Sequence, residues 1–170
     1  MRGGLLIAVA ALAIAAPAAA APSQVIRGDE KLGAFAIKSD GSLGGAVRAL
    51  GAPTSRVRSE ESCHTRWSSL GMQILFYNLG GQNPCSNAFG RFARATVVGS
   101  GWRTSNGLKI GDSLARLRQV FPHSGKHGDW YWLVIRPNRF GYPGHYGGLQ
   151  AKIQHGRVVA FVLTYQAGGE

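Results

Sequence analysis

The chain has little of what catalytic and metal sites are usually built from. Its 170 residues include two cysteines and eight acidic residues. It contains no Gly-x-Ser-x-Gly nucleophile motif, no His-Glu-x-x-His zinc motif and no glycine pattern of a phosphate or dinucleotide loop. A zinc site needs about four ligands, usually in paired Cys or His spacing, and no such pairing occurs. The sequence therefore predicts that the protein is not an enzyme and has no cofactor and no metal site.

Acidic residues are also few relative to basic ones. Eight Asp+Glu stand against 19 Lys+Arg, which gives a formal net charge of +11. The basic residues are spread along the chain, without a basic helix or a known nucleic-acid motif, so we expect no nucleic-acid partner. The charge favours attraction to anionic envelope polymers or lipid head groups. Alternatively, it serves only solubility.

Long apolar runs are confined to the N-terminus. Residues 5–16 are an unbroken apolar stretch that follows Arg2, and small residues occupy positions 18–21. A positive start, a short apolar segment and a small-residue site are typical of a secretory signal peptide. The stretch is too short to cross a membrane core of about 30 Å. We predict a signal peptide over residues 1–20, export to a periplasm, wall or medium, and no transmembrane segment in the mature chain.

Export leads to a compartment that permits disulfide bonds. Since Cys63 and Cys85 are the two cysteines of the chain, we predict that they pair with each other. The loop they would close is worth roughly 3 kcal/mol in the chain-entropy model. The alternatives are two free thiols, or a reactive Cys63 beside His64.

Two segments of the sequence are alike. Residues 41–53 and 111–122 each begin with a helix N-cap residue, place apolar residues at helical spacing and stop at Gly or Pro. Each is followed by three segments with the β-branched and aromatic content of strands. We predict an α+β fold of two tandem repeats after the signal peptide, each a helix on a three-stranded antiparallel sheet. The first would cover residues 21–100, with the disulfide, and the second residues 101–170. The predicted strands are residues 63–68, 72–78, 92–99, 130–136, 149–154 and 157–165.

The same segments carry a family resemblance. In residues 41–53 and 107–122, a glycine-led N-cap, an apolar helical period and a Gly or Pro stop precede three strands. This pattern resembles the β-lactamase-inhibitor-protein-like fold, which uses two tandem units, and the single-unit outer-membrane assembly lipoproteins of the BamE type. The resemblance implies an exported, non-enzymatic binding module that contacts another protein. It carries over no functional residue, and the chain lacks the lipid-anchor cysteine of the BamE type.

Arginine and aromatic residues are concentrated in one predicted loop and in the strand before it. Aromatic faces stack on sugars or peptide side chains, and arginine pairs bidentately with carboxylate or phosphate. We therefore predict a binding site here, the alternative being a loop that covers the sheet as local core. The predicted binding residues are Trp130, Trp132, Arg136, Arg139, Tyr142 and Tyr146.

A second polar cluster contains His123, His127 and Asp129. Imidazole and carboxylate groups bind metals and transfer protons. An exposed polar turn explains the same residues, and Lys126 among them would repel a cation.

These observations predict an exported, non-enzymatic binding module that recognises a protein or an envelope component. One alternative is a basic envelope-associated protein that binds anionic wall polymers. The other is a small envelope hydrolase that uses the cluster at residues 123–129.

Overall fold

The computed structural model describes residues 23–137 and 145–164. In these ranges most of the regular structure is β-strand, with two short α-helices and a 3₁₀ turn at Ser68–Leu70. In chain order the elements are β1 (Val25–Arg27), β2 (Lys31–Leu32), β3 (Phe35–Ala36), α1 (Leu43–Leu50), β4 (Ser55–Arg58), β5 (Ser62–Trp67), β6 (Met72–Tyr77), β7 (Arg91–Val97), β8 (Arg103–Thr104), α2 (Leu114–Val120), β9 (Gly125–His127), β10 (Trp130–Pro137), β11 (His145–Gln154) and β12 (Arg157–Thr164).

Eight strands form one continuous antiparallel sheet, in the order β4-β5-β6-β7-β12-β11-β10-β9. The predicted fold of two tandem repeats, each a helix on its own three-stranded sheet, is therefore wrong. β7 pairs directly with β12, from Phe161 opposite Val97 to Thr164 opposite Arg94. Separate sheets would have left the backbone N–H and C=O groups of both strands unpaired at open edges, and the pairing satisfies them.

Two of the eight strands were not predicted, because they lie at the edges of the sheet. Every residue of β4 and of β9 is exposed. An edge strand with no buried face has no alternation of apolar and polar residues, and alternation is the signal by which strands are predicted.

A second, four-stranded sheet has the order β3-β2-β1-β8. Its strands have two or three residues each, and β1 pairs in parallel with β8. It was not predicted either, since such short segments show no periodicity. Ile26, Leu32 and Phe35 extend from it into the main core.

The core lies against one face of the large sheet, which we call the inner face. Both helices were predicted, and they pack on this side: Leu43 and Leu50 of α1 and Leu117 of α2 belong to the core cluster. Neither described helix has the length and apolar character that a membrane crossing requires. The main inner-face side chains in the core are Cys63, Trp67, Met72, Ile74, Phe76, Phe92, Ala95, Val97, Leu149, Ala151, Phe161 and Leu163.

Cys63 and Cys85 form the predicted disulfide, with their Cα atoms 5.1 Å apart. The bond connects β5 to the loop at residues 78–90, and this loop contacts the start of α1. The backbone N–H of Leu43 donates to Gly90 O at 2.9 Å, and that of Gly44 donates to Asn87 O at 2.9 Å. The loop thereby satisfies N–H groups that have no partner within the helix.

Candidate functional site

The face of the large sheet opposite the core, which we call the outer face, is basic in its β5–β7 half. In β5 the residues alternate, so that Cys63, Thr65 and Trp67 are buried while His64 and Arg66 are exposed. Successive side chains of a strand point to opposite faces, so the exposed pair lies on the outer face. The outward residues of this half are Ser62, His64, Arg66, Gln73, Leu75, Tyr77, Arg91, Arg94 and Thr96.

A bulge in β7 places two arginines on the outer face. Leu75 opposes Arg94 and the next residue of β6, Phe76, opposes Phe92, so Ala93 is an extra residue. Strict alternation would have sent Arg91 and Arg94 to opposite faces, and the extra residue puts both on the same side. Both arginines are exposed.

No acidic side chain lies among the outward residues of β5, β6 and β7. The outward positions of β5–β7 include three arginines and one histidine but neither Asp nor Glu. The salt bridges among the described residues join Lys38 to Glu30 and Arg48 to Asp40, and neither pair lies on the large sheet. The guanidinium groups of the outer face are thus not neutralised by a carboxylate within the described part of the chain.

A shallow cavity of about 370 Å³ lies beside Arg66 on this face. We call it the β5–β7 depression. It combines a guanidinium, a carboxamide, two hydroxyls and the apolar side chain of Val98, and its described lining has no carboxylate. The lining residues are Arg66, Ser68, Gly71, Met72, Gln73, Thr96 and Val98.

One wall of the depression is held by backbone contacts. Gly71 has φ +56°, and a Cβ on it would lie 2.5 Å from the Cα of Gly99. The two backbone segments, at Gly71 and at Gly99, therefore approach as closely as glycine permits. The N–H groups of Val98 and Gly99 donate to Gly71 O at 2.8 and 3.0 Å. The buried indole Nε1 of Trp102 donates to Leu70 O at 2.7 Å. These bonds fix the wall before any ligand arrives.

Gln73 is also positioned by a neighbour. Its Nε2 lies 3.2 Å from Nδ1 of His64 on the adjacent strand. The contact ties the carboxamide to β5, and the residues directly opposite Gln73 are Arg66 on β5 and Thr96 on β7.

The β10–β12 half of the outer face is aromatic and less exposed. Trp130 and Trp132 are half-buried, and they lie opposite Lys152 and Gln150. The Lys152 ammonium lies 5.6 Å from the centre of the Trp130 ring, a cation–π distance. Between the two halves, Val162 is only 1% exposed although it is not part of the main core.

The structure brings together part of the predicted binding site. Trp130 and Trp132 share the outer face, as their alternation with the buried Tyr131 requires. The other predicted residues lie outside the described side chains: Arg136, Arg139, Tyr142 and Tyr146. Their role stays a prediction.

The sequence interpretation missed Arg66, Arg91 and Arg94. The outward direction of Arg66 can be inferred from the sequence, since residues 63–67 alternate between residues suited to the core and basic residues suited to the surface. The signal for Arg94 is weaker, because the bulge shifts the alternation of β7 by one residue.

The polar cluster at residues 123–129 is dispersed. His123 precedes β9, His127 ends it and Asp129 follows in the turn, and all three are exposed. In the part of the chain that the structure describes, no three His, Cys, Asp or Glu residues group as metal ligands would.

No family model matches the chain, and no curated protein matches it. Among solved structures, an extracellular protein containing a SCP domain from Bacillus anthracis str. Ames is similar at 14% identity, with a TM-score of 0.44. The match covers 74% of this chain and 43% of that one, so the chain spans less than half the length of that protein.

Proposed function

We propose that this protein is an exported, non-enzymatic binding module and that the outer face of its large sheet binds an anionic component of the cell envelope. The observation that carries the proposal is the charge of the β5–β7 half. Arg66, Arg91 and Arg94 are exposed there, with no carboxylate among the outward residues of the three strands.

Two features support export. The N-terminal residues have the order of charge, apolar run and small residues that is typical of a signal peptide. Cys63 and Cys85 form a disulfide, and disulfides persist mainly in oxidising compartments outside the cytosol.

The spacing of the arginines suits an extended anion better than a single small one. Arg66 and Arg94 lie two strands and two residues apart in the ladder. Their Cα atoms are therefore separated by about 12 Å, at about 4.8 Å between strands and about 3.4 Å per residue. That distance is close to the Debye length of about 10 Å at 0.1 M salt. A polymer with repeated negative groups can pair with several of these guanidiniums at once, bidentately in each case.

The test is binding of the mature chain to soluble polyanions, with polygalacturonate and polyphosphate as probes. The variant R91Q/R94Q removes two charges from the outer face, and R116Q/R118Q removes two exposed charges from α2, on the other side of the sheet. An exposed charge pair is worth up to about 1 kcal/mol, so the first variant should bind about tenfold more weakly. The second should bind like the original chain.

Salt supplies a second readout. Raising the salt from about 0.1 M to about 1 M shortens the Debye length from about 10 Å to about 3 Å, and binding should fall steeply. Equal losses in the two double variants, or binding that does not change with salt, would contradict the proposal. Salt-insensitive capture of one protein from envelope extract would favour a protein partner instead.

A further inference from the structure

We infer that the β5–β7 depression holds one anionic sugar unit, so that the ligand is an acidic glycan whose rings carry carboxylate or phosphate groups. The inference rests on the proposed function and makes it specific. Charge alone accounts for attraction to any polyanion. The lining of the depression adds groups that a bare polyanion does not use.

Each lining group matches a part of such a unit. The Arg66 guanidinium offers a planar fork of donors that pairs bidentately with a carboxylate or a phosphate. Ser68, Gln73 and Thr96 offer two hydroxyls and a carboxamide, which donate to and accept from the hydroxyls of a sugar ring. Val98, which is 56% exposed, adds an apolar side chain, against which the C–H face of a ring can pack.

Size and rigidity agree with this occupant. About 370 Å³ is near the lower end of the 300–1,000 Å³ that small-molecule sites usually have. The wall at Gly71 is fixed by the hydrogen bonds from Val98, Gly99 and, next to it, Trp102. A preformed wall lowers the ordering cost of binding.

The surroundings of the depression suit a chain of such units. Arg94 and Arg91 follow Arg66 diagonally across the outer face. Anionic groups on neighbouring units of one polymer would meet them when one unit occupies the depression.

A protein segment fits the lining less well. The strongest anchors at protein interfaces are aromatic or arginine side chains that fill desolvated pockets. The depression is shallow, its described lining has no aromatic residue, and Arg66 and Gln73 are exposed.

The experiment compares four probes at equal charge or equal ring concentration. Polygalacturonate has ring and charge, polyphosphate has charge without a ring, dextran has a ring without charge, and polyglutamate has carboxylates on a peptide. Titration calorimetry of the mature chain should rank polygalacturonate above polyphosphate and polyglutamate, with no binding of dextran.

Variants separate the ring contacts from the charge contact. R66Q should weaken polygalacturonate binding about fivefold, equivalent to about 1 kcal/mol for one exposed charge pair, whereas R118Q on α2 should not. S68A/Q73A keeps the charge, so it should weaken polygalacturonate several-fold and leave polyphosphate unchanged. All of these side chains are exposed, so the variants should fold, and circular dichroism checks this. Competition by glucuronate or by glucose 6-phosphate then identifies the anionic group.

Three outcomes would overturn the inference. If S68A/Q73A changes the affinity for none of the probes, or if polyphosphate binds as tightly as polygalacturonate, the outer face recognises charge alone. In that case only the proposal that the outer face binds an anionic envelope component stands. If polyglutamate binds most tightly, the partner is an acidic protein. If none of the polyanions binds, the proposed function itself fails.

Discussion

Breaking the disulfide should remove a large part of the stability of the protein. Cys63 and Cys85 are separated by 22 positions. A closed loop of that length lowers the entropy of the unfolded chain by an amount worth about 3.4 kcal/mol at 25 °C in the chain-entropy model. Domains of this size have a total free energy of unfolding of about 5–15 kcal/mol. The reduced form therefore retains only a fraction of the original stability.

The structure identifies where the reduced protein should loosen first. The loop at residues 78–90 supplies Gly90 O and Asn87 O to the first N–H groups of α1. When the disulfide no longer holds this loop against β5, those acceptors become mobile and α1 loses part of its cap. On reduction, amide exchange at Leu43 and Gly44 should accelerate more than amide exchange in β12, because the disulfide does not connect β12 to the loop.

The assay is urea unfolding with and without reductant, followed by tryptophan fluorescence. We expect reduction to lower the free energy of unfolding by about 3.4 kcal/mol. A thermal scan should then show a midpoint temperature lower by about 7–14 °C, at about 2–4 °C per kcal/mol. A C63A/C85A variant is the control, because reductant should not alter it. A reduced chain that unfolds within about 1 kcal/mol of the oxidised one would refute the loop-entropy argument.

Two further predictions concern the wall of the depression and the start of α1. Gly71→Ala should lower the free energy of unfolding, measured with urea, by more than Gly28→Ala does. Both glycines have φ +56°, but of the two only Gly71 has backbone atoms within 4 Å of where a Cβ would lie. Equal losses of stability in the two variants would contradict the close approach at Gly71. The pKa of Asp40 is lowered from 3.8, first by the hydrogen bond from Ser42 and also by Arg48. Its ionised form therefore stabilises the fold above that pH, and the stabilisation is lost as pH falls below it. The stability gap between the original chain and D40N should be present at neutral pH and close in acid; a gap that persists well below pH 3.8 would contradict this assignment.

The sequence predicts local structure well where one face of an element is buried. Both helices lie in the segments that helical periodicity assigned to them, and the six central strands of the large sheet overlap the segments predicted from β-branched and aromatic content. The partners of the strands could not be predicted in the same way, because pairing between β7 and β12 depends on contacts between residues more than 60 positions apart, such as Val97 and Phe161. Periodicity within a window carries no information on such contacts.

The candidate site shows the same limit. The outward direction of Arg66 and of Trp132 follows from alternation within a strand. That both belong to one outer face follows only from the ladder, in which one row crosses the sheet from Arg66 through Gln73, Thr96, Val162 and Gln150 to Trp132. Two separate sheets, as predicted, would have given each half its own surface.

The register also explains how the sheet carries unneutralised arginines at little cost. Like charges directly opposite each other destabilise a sheet, and no two of these arginines are opposite. Arg66 faces Gln73, and Arg91 faces Tyr77. Arg94 lies between Leu75 and Thr164. At about 12 Å in water, two such charges repel by only about 0.3 kcal/mol before salt screening. The guanidinium groups therefore need no carboxylate partner within the protein, and they stay available for the anionic groups of a ligand.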